Sequence, residues 1–374
     1  MSIENADNFK ILWNNYCSKY NLDYKSSILP KVNRIIVLGD IHGDFQIALS
    51  LLKTGKVIDN NNKWIGNDTI VVQVGDQIDR CRSSNKIICN NKQENDEGND
   101  WKILEYFTNL HNEAIKYGGA VYSLLGNHEL MNVHGDFRYV SYEGLKEFDN
   151  YIDNNGNKFN NGTDARKWAF TCGNPIANYL GCTRKMALII GSNLFTHAGI
   201  LPHIAKKYNV NELNKILSLY LWNELDKNDL LNNKYNDILF NDSSPLWTRE
   251  YGYIDNNIDK CNNYLMELNN IYQVGNIIVG HTPKMETGIS SRCNNKVWLT
   301  DYGASHAFDE FVNNNLEDSN NKLRNTTRKA QVLEIINDGE EINILLEDGD
   351  LNIIKNYELI KSILDNNKLL EIFK

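Results

Sequence analysis

The chain has 374 residues, 41% hydrophobic and 23% charged, proportions that exclude wholesale disorder and suffice for a large buried core. A net charge of −9 argues against a nucleic-acid polyanion as the main partner. No apolar run is long enough to span a bilayer, and the opening MSIENADNFKILWNN lacks the basic start and apolar stretch of a signal peptide. The seven cysteines (Cys17, Cys81, Cys89, Cys172, Cys182, Cys261, Cys293) are odd in number and never spaced as CxxC. That usage predicts reduced thiols in a cytosol-like compartment, hence a soluble, cytoplasmic protein without a disulfide framework. Short asparagine runs, such as Asn60-Asn61-Asn62, fall between periodic segments, where turn-tolerant polar residues are expected.

In chain order, Arg34 to Leu38, Thr69 to Val74 and Ala120 to Leu125 read as buried strands rich in branched apolar residues. Between the second and third, Ile103, Phe107, Leu110, Ala114 and Tyr117 recur at helical spacing, and Gly118-Gly119 ends the pattern. Strand, helix, strand in this order predicts parallel pairing with helices packed on the sheet. Lys185 to Phe195 reads as a hairpin turning at Gly191-Ser192-Asn193, and Asn276 to Val279 as another buried strand. Gln331 to Ile336 and Glu341 to Leu346 flank a turn at Asn337-Asp338-Gly339. A helical tail is expected from Tyr357 to Phe373. The implied organisation is a catalytic domain at 34–347 between helical extensions at 1–33 and 348–374.

The strand ends carry the polar residues. Gly39-Asp40-Ile41-His42-Gly43-Asp44 follows the first strand, Gly75-Asp76-Gln77-Ile78-Asp79-Arg80 the second, and Gly126-Asn127-His128-Glu129 the third. Later apolar stretches deliver Thr196-His197-Ala198-Gly199 and Gly280-His281-Thr282. A single Asp after Gly is usually a turn former or helix cap, and a lone His a hydrogen-bonded neighbour. Five strand ends converging on one crevice change that reading. They bring Asp40, His42, Asp76, Asn127, His197 and His281, hard oxygen and imidazole donors suited to a pair of divalent metals. His111, His134, His203 and His306 lie outside these positions.

The motif order GDIHGD, GDQIDR, GNHE, HAG and GH resembles the phosphoprotein phosphatase superfamily of calcineurin-like metallophosphoesterases. GNHELMNVHGDFRYV (126–140), PLWTREYG (245–252), IIVGHTPKMETGISSRCNNKVWLTDYGAS (277–305) and RKAQVLEI (328–335) look like its Shewanella-like branch. The resemblance covers about Arg34 to Ile336. It implies an α/β fold of the metallo-dependent phosphatase type, a central β-sandwich flanked by helices in four layers, α/β/β/α.

Laid on this sequence, the family pattern gives Asp40 and His42 to a first metal, Asp76 to both, and Asn127, His197 and His281 to the second. Two ions roughly 3.5–4 Å apart would share a hydroxide that attacks phosphorus in line. Manganese is the expected ion, with iron or zinc as alternatives. His128 would protonate the leaving group with Asp79 orienting its ring, and Arg80, Asn127 and Arg249 would bind the phosphate. Cys81 stands where the family usually has glycine, and the polar segment from Ser83 to Asp100 lies beside the site as a substrate-facing loop or a solvated insertion. The expected activity is phosphate-monoester hydrolysis on a phosphorylated protein, at Ser/Thr or Tyr. A small phosphorylated molecule such as a dinucleotide polyphosphate is the alternative, and a non-catalytic binding module the third reading. No nucleic acid or membrane partner is expected, and the sequence leaves the oligomeric state open.

Overall fold

Branched apolar runs become strands wherever both faces can be buried. The computed structural model describes residues 6–20, 22, 26–82, 89, 91–92, 95–153, 155–254, 258–309, 312, 325–347 and 351–354. The first strands are β1 (Ile28–Leu29), β2 (Arg34–Leu38), β3 (Ile70–Gln73), β4 (Ala120–Leu124), β5 (Arg184–Lys185), β6 (Ala187–Ile190) and β7 (Asn193–Thr196). They are followed by β8 (Asn276–Val279), β9 (Ser290–Arg292), β10 (Val297–Leu299), β11 (Gln331–Ile336), β12 (Glu341–Leu346) and β13 (Leu351–Ile354). These make a six-stranded sheet ordered β1-β6-β7-β8-β10-β9 and a seven-stranded sheet ordered β13-β12-β11-β2-β3-β4-β5. The expected parallel pairing holds: Ile36 lies beside Val71, and Val71 beside Val121. The expected hairpins are β6–β7 and β11–β12, both antiparallel.

Side-chain alternation separates the layers. Along the six-stranded sheet, Leu188, Ile190, Phe195, Ile278 and Trp298 join the core that also holds Ile36, Val72 and Leu333 of the other sheet. Their neighbours Ala187, Ile189, Leu194, Ile277, Val279, Val297 and Leu299 belong to a second core formed with helices. A period of two therefore places one face against the partner sheet and the other against helices. α2 (Phe45–Thr54) and α3 (Asp100–Ala114) bury Leu51, Leu52, Ile103 and Phe107 in the core cluster of the seven-stranded sheet, covering it. The result is the four-layer α/β/β/α arrangement. α3 ends in a 3₁₀ turn, and Gly118 takes the left-handed conformation (φ 84°) that stops it.

The N-terminal helix α1 (Ala6–Cys17) buries Phe9, Trp13 and Cys17 in the helix-side core. Tyr16 stacks on Trp222 with ring centroids 4.8 Å apart. At the other end β13 pairs with β12, so residues 351–354 are strand where the sequence suggested helix. The helix expected from Tyr357 to Phe373 lies outside the described residues.

The reduced-thiol expectation is overturned. Cys17 is bonded to Cys182, Cys81 to Cys89 and Cys261 to Cys293, leaving Cys172 as the free thiol. The partners lie 165, 8 and 32 positions apart, so tertiary packing and not local spacing brings them together. No described helix is long and apolar enough to cross a membrane.

Phe195 is fully buried between the sheets. Truncating it leaves a void that neighbouring strands cannot close, so Phe195→Ala is expected to cost about 3–5 kcal/mol in urea unfolding. A loss below about 1 kcal/mol would contradict this packing.

Candidate metal centre

The carboxyl ends of β2, β3, β4, β7 and β8 deliver the six candidate ligands to one place. Four site residues, His42 (φ 46°), Asp76 (φ 51°), Asp79 (φ 74°) and His281 (φ 66°), occupy the left-handed region that non-glycine residues seldom adopt. Such strain persists only where the surroundings over-determine it. Here they do. Ile41 and His42 donate their amides to Asp76 O at 2.9 and 3.0 Å, and Gly280 donates to His197 O at 2.8 Å. His281 N donates to Asp40 Oδ2 at 3.1 Å, and His128 N to Asp76 Oδ1 at 3.0 Å.

A buried carboxylate holds two of these loops together. Glu129, in α4 (Asn127–Val133), accepts from Gly126 N at 2.7 Å, Gln77 N at 2.8 Å, Asp76 N at 3.1 Å and Ile78 N at 3.2 Å. Both Asp76 and the start of α4 are thereby set by one side chain.

The backbone also fixes the imidazoles. His197 Nδ1 donates to Val74 O at 2.9 Å, and His42 Nδ1 to Ile78 O at 3.3 Å. His281 Nε2 donates to Trp247 O at 2.9 Å. A carbonyl can only accept, so each ring keeps its other nitrogen as a lone pair for the site. His197 Nε2 lies 3.3 Å from Asp76 Oδ1 and 2.9 Å from Asn127 Oδ1. His42 Nε2 is 3.8 Å from Asp76 Oδ2 and 3.9 Å from Asp40 Oδ2. Two groups of donors result, His42/Asp76/His128 and Asp76/His197/His281, in each of which the atoms lie within 4.8 Å of one another. Asp76 belongs to both.

Electrostatics support occupation by cations. Burial pushes the Asp40 carboxyl well above its usual range, and the charges of Asp301 and Asp76 add to the effect. Asp301 is likewise raised by burial and by Asp76. Burial alone would raise Asp76 too, but the neighbouring imidazoles, His197 first, outweigh it and hold that carboxylate well below its usual range. Burial keeps His42 and His281 neutral, pushing both well below the ordinary imidazole value, with Arg82 adding to the push on His42 and His197 to that on His281. The neutral imidazoles of His42 and His281, an amide oxygen and clustered carboxylates fit a divalent pair, whose charge offsets the crowding of Asp40, Asp76 and Asp301.

Beside the ligands stands an acid–base pair. His128 Nδ1 is 2.7 Å from Asp79 Oδ2, which leaves Nε2 facing the site, 3.8 Å from Asp76 Oδ2. The other Asp79 oxygen accepts from Asn132 Nδ2 at 2.8 Å and lies 3.6 Å from Arg166 Nη2. Arg166 is fully buried and forms a 2.6 Å ion pair with Asp100.

Two expected phosphate-binding arginines are placed differently. Arg249 donates to His281 O at 3.0 Å and lines a cleft of about 580 Å³ with Trp247, Tyr253, Lys260 and His281. Arg80 is turned away into protein acceptors, with Asp44 Oδ2 at 3.0 Å, Asn95 O at 3.1 Å and Glu97 Oε1 at 3.6 Å. His306 belongs to the same arrangement, with Nδ1 2.7 Å from Asp44 Oδ2. His134 pairs with Tyr220 OH at 2.8 Å. Sequence reasoning passed over Arg82, Asp301, Arg166 and the bracing role of Glu129. Only Glu129 and Asp301 stood inside quoted motifs; Arg82 and Arg166 carried no local signal. Of the segment from Ser83 to Asp100, parts lie outside the described residues, while Cys89, Asn95, Glu97 and Asp100 join the wall around Arg80 and Asp79.

Gly126 is a tight point in this packing, since a Cβ there would overlap the Asp76 carboxylate and amide. Gly126→Ala is expected to displace Asp76 and weaken metal binding by at least about tenfold, read by calorimetric metal titration, while circular dichroism stays native. Unchanged metal affinity would refute the close approach.

Residues 33–285 match the model of the calcineurin-like phosphoesterases. The chain is 38% identical to the uncharacterised protein R398 of Acanthamoeba polyphaga mimivirus, over 62% of this chain and 95% of that one. It is 29% identical to Shewanella-like protein phosphatase 2 of Arabidopsis thaliana, over 74% of this chain and 72% of that one. With Shewanella-like protein phosphatase 1 of Plasmodium berghei it shares 30% identity, over 73% and 67% respectively. A solved cold-active protein tyrosine phosphatase superposes with a TM-score of 0.64 at 21% identity, covering 90% of this chain and 82% of that one, a likeness of fold. The convergent donors, the sandwich that positions them and the matched span lead to one family: the chain belongs to the calcineurin-like phosphoesterases, with Shewanella-like protein phosphatases among its relatives.

Proposed function

We propose that this metal-dependent phosphatase removes phosphate from phosphorylated proteins, using two manganese ions held by Asp40, His42, Asp76, Asn127, His197 and His281. The observation that carries this reading is the sharing of Asp76 by two donor groups, one with His42 and one with His197 and His281, next to the His128–Asp79 hydrogen bond. Only a carboxylate readily gives one oxygen to each of two cations, so the central position falls to an Asp. Bound there, the metals would supply Lewis acidity to the phosphoryl oxygens and bring the pKa of water to about 7.

The protein's own groups do the rest. His128 presents Nε2 to the leaving oxygen and delivers a proton as the P–O bond breaks. Asp79 holds the opposite nitrogen at 2.7 Å, which orients the ring. Asn132 and Arg166 fix Asp79 in turn. Arg249 stands at the rim of the cleft beside His281, placed to meet the phosphorylated side chain.

The protein substrate is supported by the names of the Shewanella-like relatives and by the open cleft beside the metal ligands. The presence of every ligand and of the acid pair speaks against a non-catalytic module. We assign the chemistry to residues 34–347, with α1, β1 and β13 packed on from outside that span. Three disulfides favour an oxidising environment for folding, so the cytoplasmic placement suggested by the thiol count loses its support.

Manganese-loaded protein is expected to hydrolyse phosphopeptides in preference to dinucleotide polyphosphates, and the reverse preference would overturn the substrate assignment. Asp76→Asn should abolish hydrolysis and weaken metal binding together. His128→Asn should lower kcat by about 10²–10⁴-fold while retaining the metals, which separates the acid from the cage. A His128→Asn enzyme with near-normal kcat would remove that residue from the reaction.

A further inference from the structure

Away from the metal centre, a cavity of about 100 Å³ opens between α1, α3, β4, β5 and the helix Val210–Leu221. None of the six candidate metal ligands lines it. Phe9, Trp13, Phe107 and Val121 give it apolar walls. The Cys17–Cys182 disulfide ties α1 to this region and Cys182 itself lines the cavity, so the wall that α1 supplies is covalently held. The charges around it are of one sign. Arg184, Lys185 and Lys215 line it, and among the described residues no Asp or Glu does, in a chain with 48 acidic and 39 basic residues.

The three cations differ in what the protein offers them. Arg184 donates to Gln77 Oε1 at 2.8 Å, Thr108 Oγ1 at 2.9 Å and Leu104 O at 2.8 Å. Lys215 lies over the Phe9 ring, 5.4 Å from its centroid, and is acted on by the Glu212 carboxylate. Lys185 has neither kind of support. Its Nζ donates to one hydroxyl, Ser27 Oγ at 2.9 Å, and among the described residues no carboxylate forms an ion pair with it. Burial pushes its ammonium down to about 8. The amide oxygens on the same wall are spent elsewhere: Asn214 Oδ1 accepts from Met186 N at 2.6 Å and Ala187 N at 3.1 Å, and Asn211 Oδ1 from Ser27 N at 2.8 Å. An ammonium has three donors, and enclosing one among apolar side chains is costly until an acceptor arrives.

A ligand for this cavity has to bring that acceptor and cover the apolar wall. One ammonium with donors to spare matches a single negative charge, which a carboxylate carries and a phosphate dianion exceeds. The volume admits a short alkyl chain or a small ring and is too small for a peptide. We propose that the cavity is a binding site for a small carboxylic acid, with its carboxylate on Lys185 and its short apolar body against Phe9 and Trp13. Binding there needs no metal and no turnover, so it stands apart from the phosphatase reading.

The test titrates the full chain, treated with chelator to remove metals, with pentanoate, pentanamide and acetate, followed by NMR of the tryptophan indole N–H groups. Pentanoate should saturate one site per chain and bind at least about tenfold tighter than pentanamide, which lacks the charge, and than acetate, which lacks the body. In the wild type the Trp13 indole resonance should shift as pentanoate binds, which locates the site without any substitution. Lys185→Met should weaken pentanoate binding roughly 10- to 100-fold, to the level of pentanamide, with native circular dichroism. The assignment is overturned if pentanoate does not bind, if it binds no tighter than pentanamide, if the Trp13 resonance stays in place, or if Lys185→Met binds pentanoate like the wild type. Should Lys185→Met fail to fold, the three ligands and the Trp13 resonance of the wild type decide the matter.

Discussion

Glu129 accepts four backbone amides from two different loops, and the geometry of the site depends on that one carboxylate. It ties the turn after β3 to the start of α4, which fixes Asp76, Asn127 and His128 relative to one another. Its burial, with the nearby Asp76 charge adding, pushes its own pKa up to about 7. Removing any of the four amides' acceptor would leave buried donors unpaired, at about 1–3 kcal/mol each. The left-handed conformation of Asp76 is held by this network and by the amides that Asp76 O accepts from Ile41 and His42. The candidate ligands are thus placed by backbone hydrogen bonds before any cation contributes, which is how a site gains preorganisation.

The charges around this centre are arranged in layers of decreasing commitment to the protein. Asp79 is bound by His128, Asn132 and Arg166, and Asp44 by Arg80 and His306. Both carboxylates are fully buried, where an unpaired charge is expensive, so their partners are structural necessities. Among the described residues no arginine or lysine forms an ion pair with Asp40 or Asp301, and both carboxyls are pushed up by burial. The asymmetry separates carboxylates paired within the fold from carboxylates that crowd the candidate metal centre.

Much of this was legible in the sequence. β8, β2, β11 and β12 were readable because unbroken branched apolar runs have few other stable arrangements, and the glycine-led polar clusters after them marked the site. β1 and β5, at two residues each, and β9 gave no such run; they are strands only because a neighbouring edge was there to pair with them. β13 was hidden for the same reason. The disulfides were misread because cysteine pairing over 165 positions is a consequence of packing. The different surroundings of Arg80 and Arg82 carried no sequence signal, because they depend on where Asp44, Tyr139 and Phe308 lie in space.

The central claim is that Asp76 joins two metals in one catalytic centre. Stepwise addition of manganese to chelator-treated protein, with bound metal and phosphopeptide hydrolysis followed together, tests it most directly. The account predicts saturation at two ions per chain, with activity appearing as the second is bound. Saturation at one ion, or hydrolysis that persists in the chelator-treated protein, would contradict it.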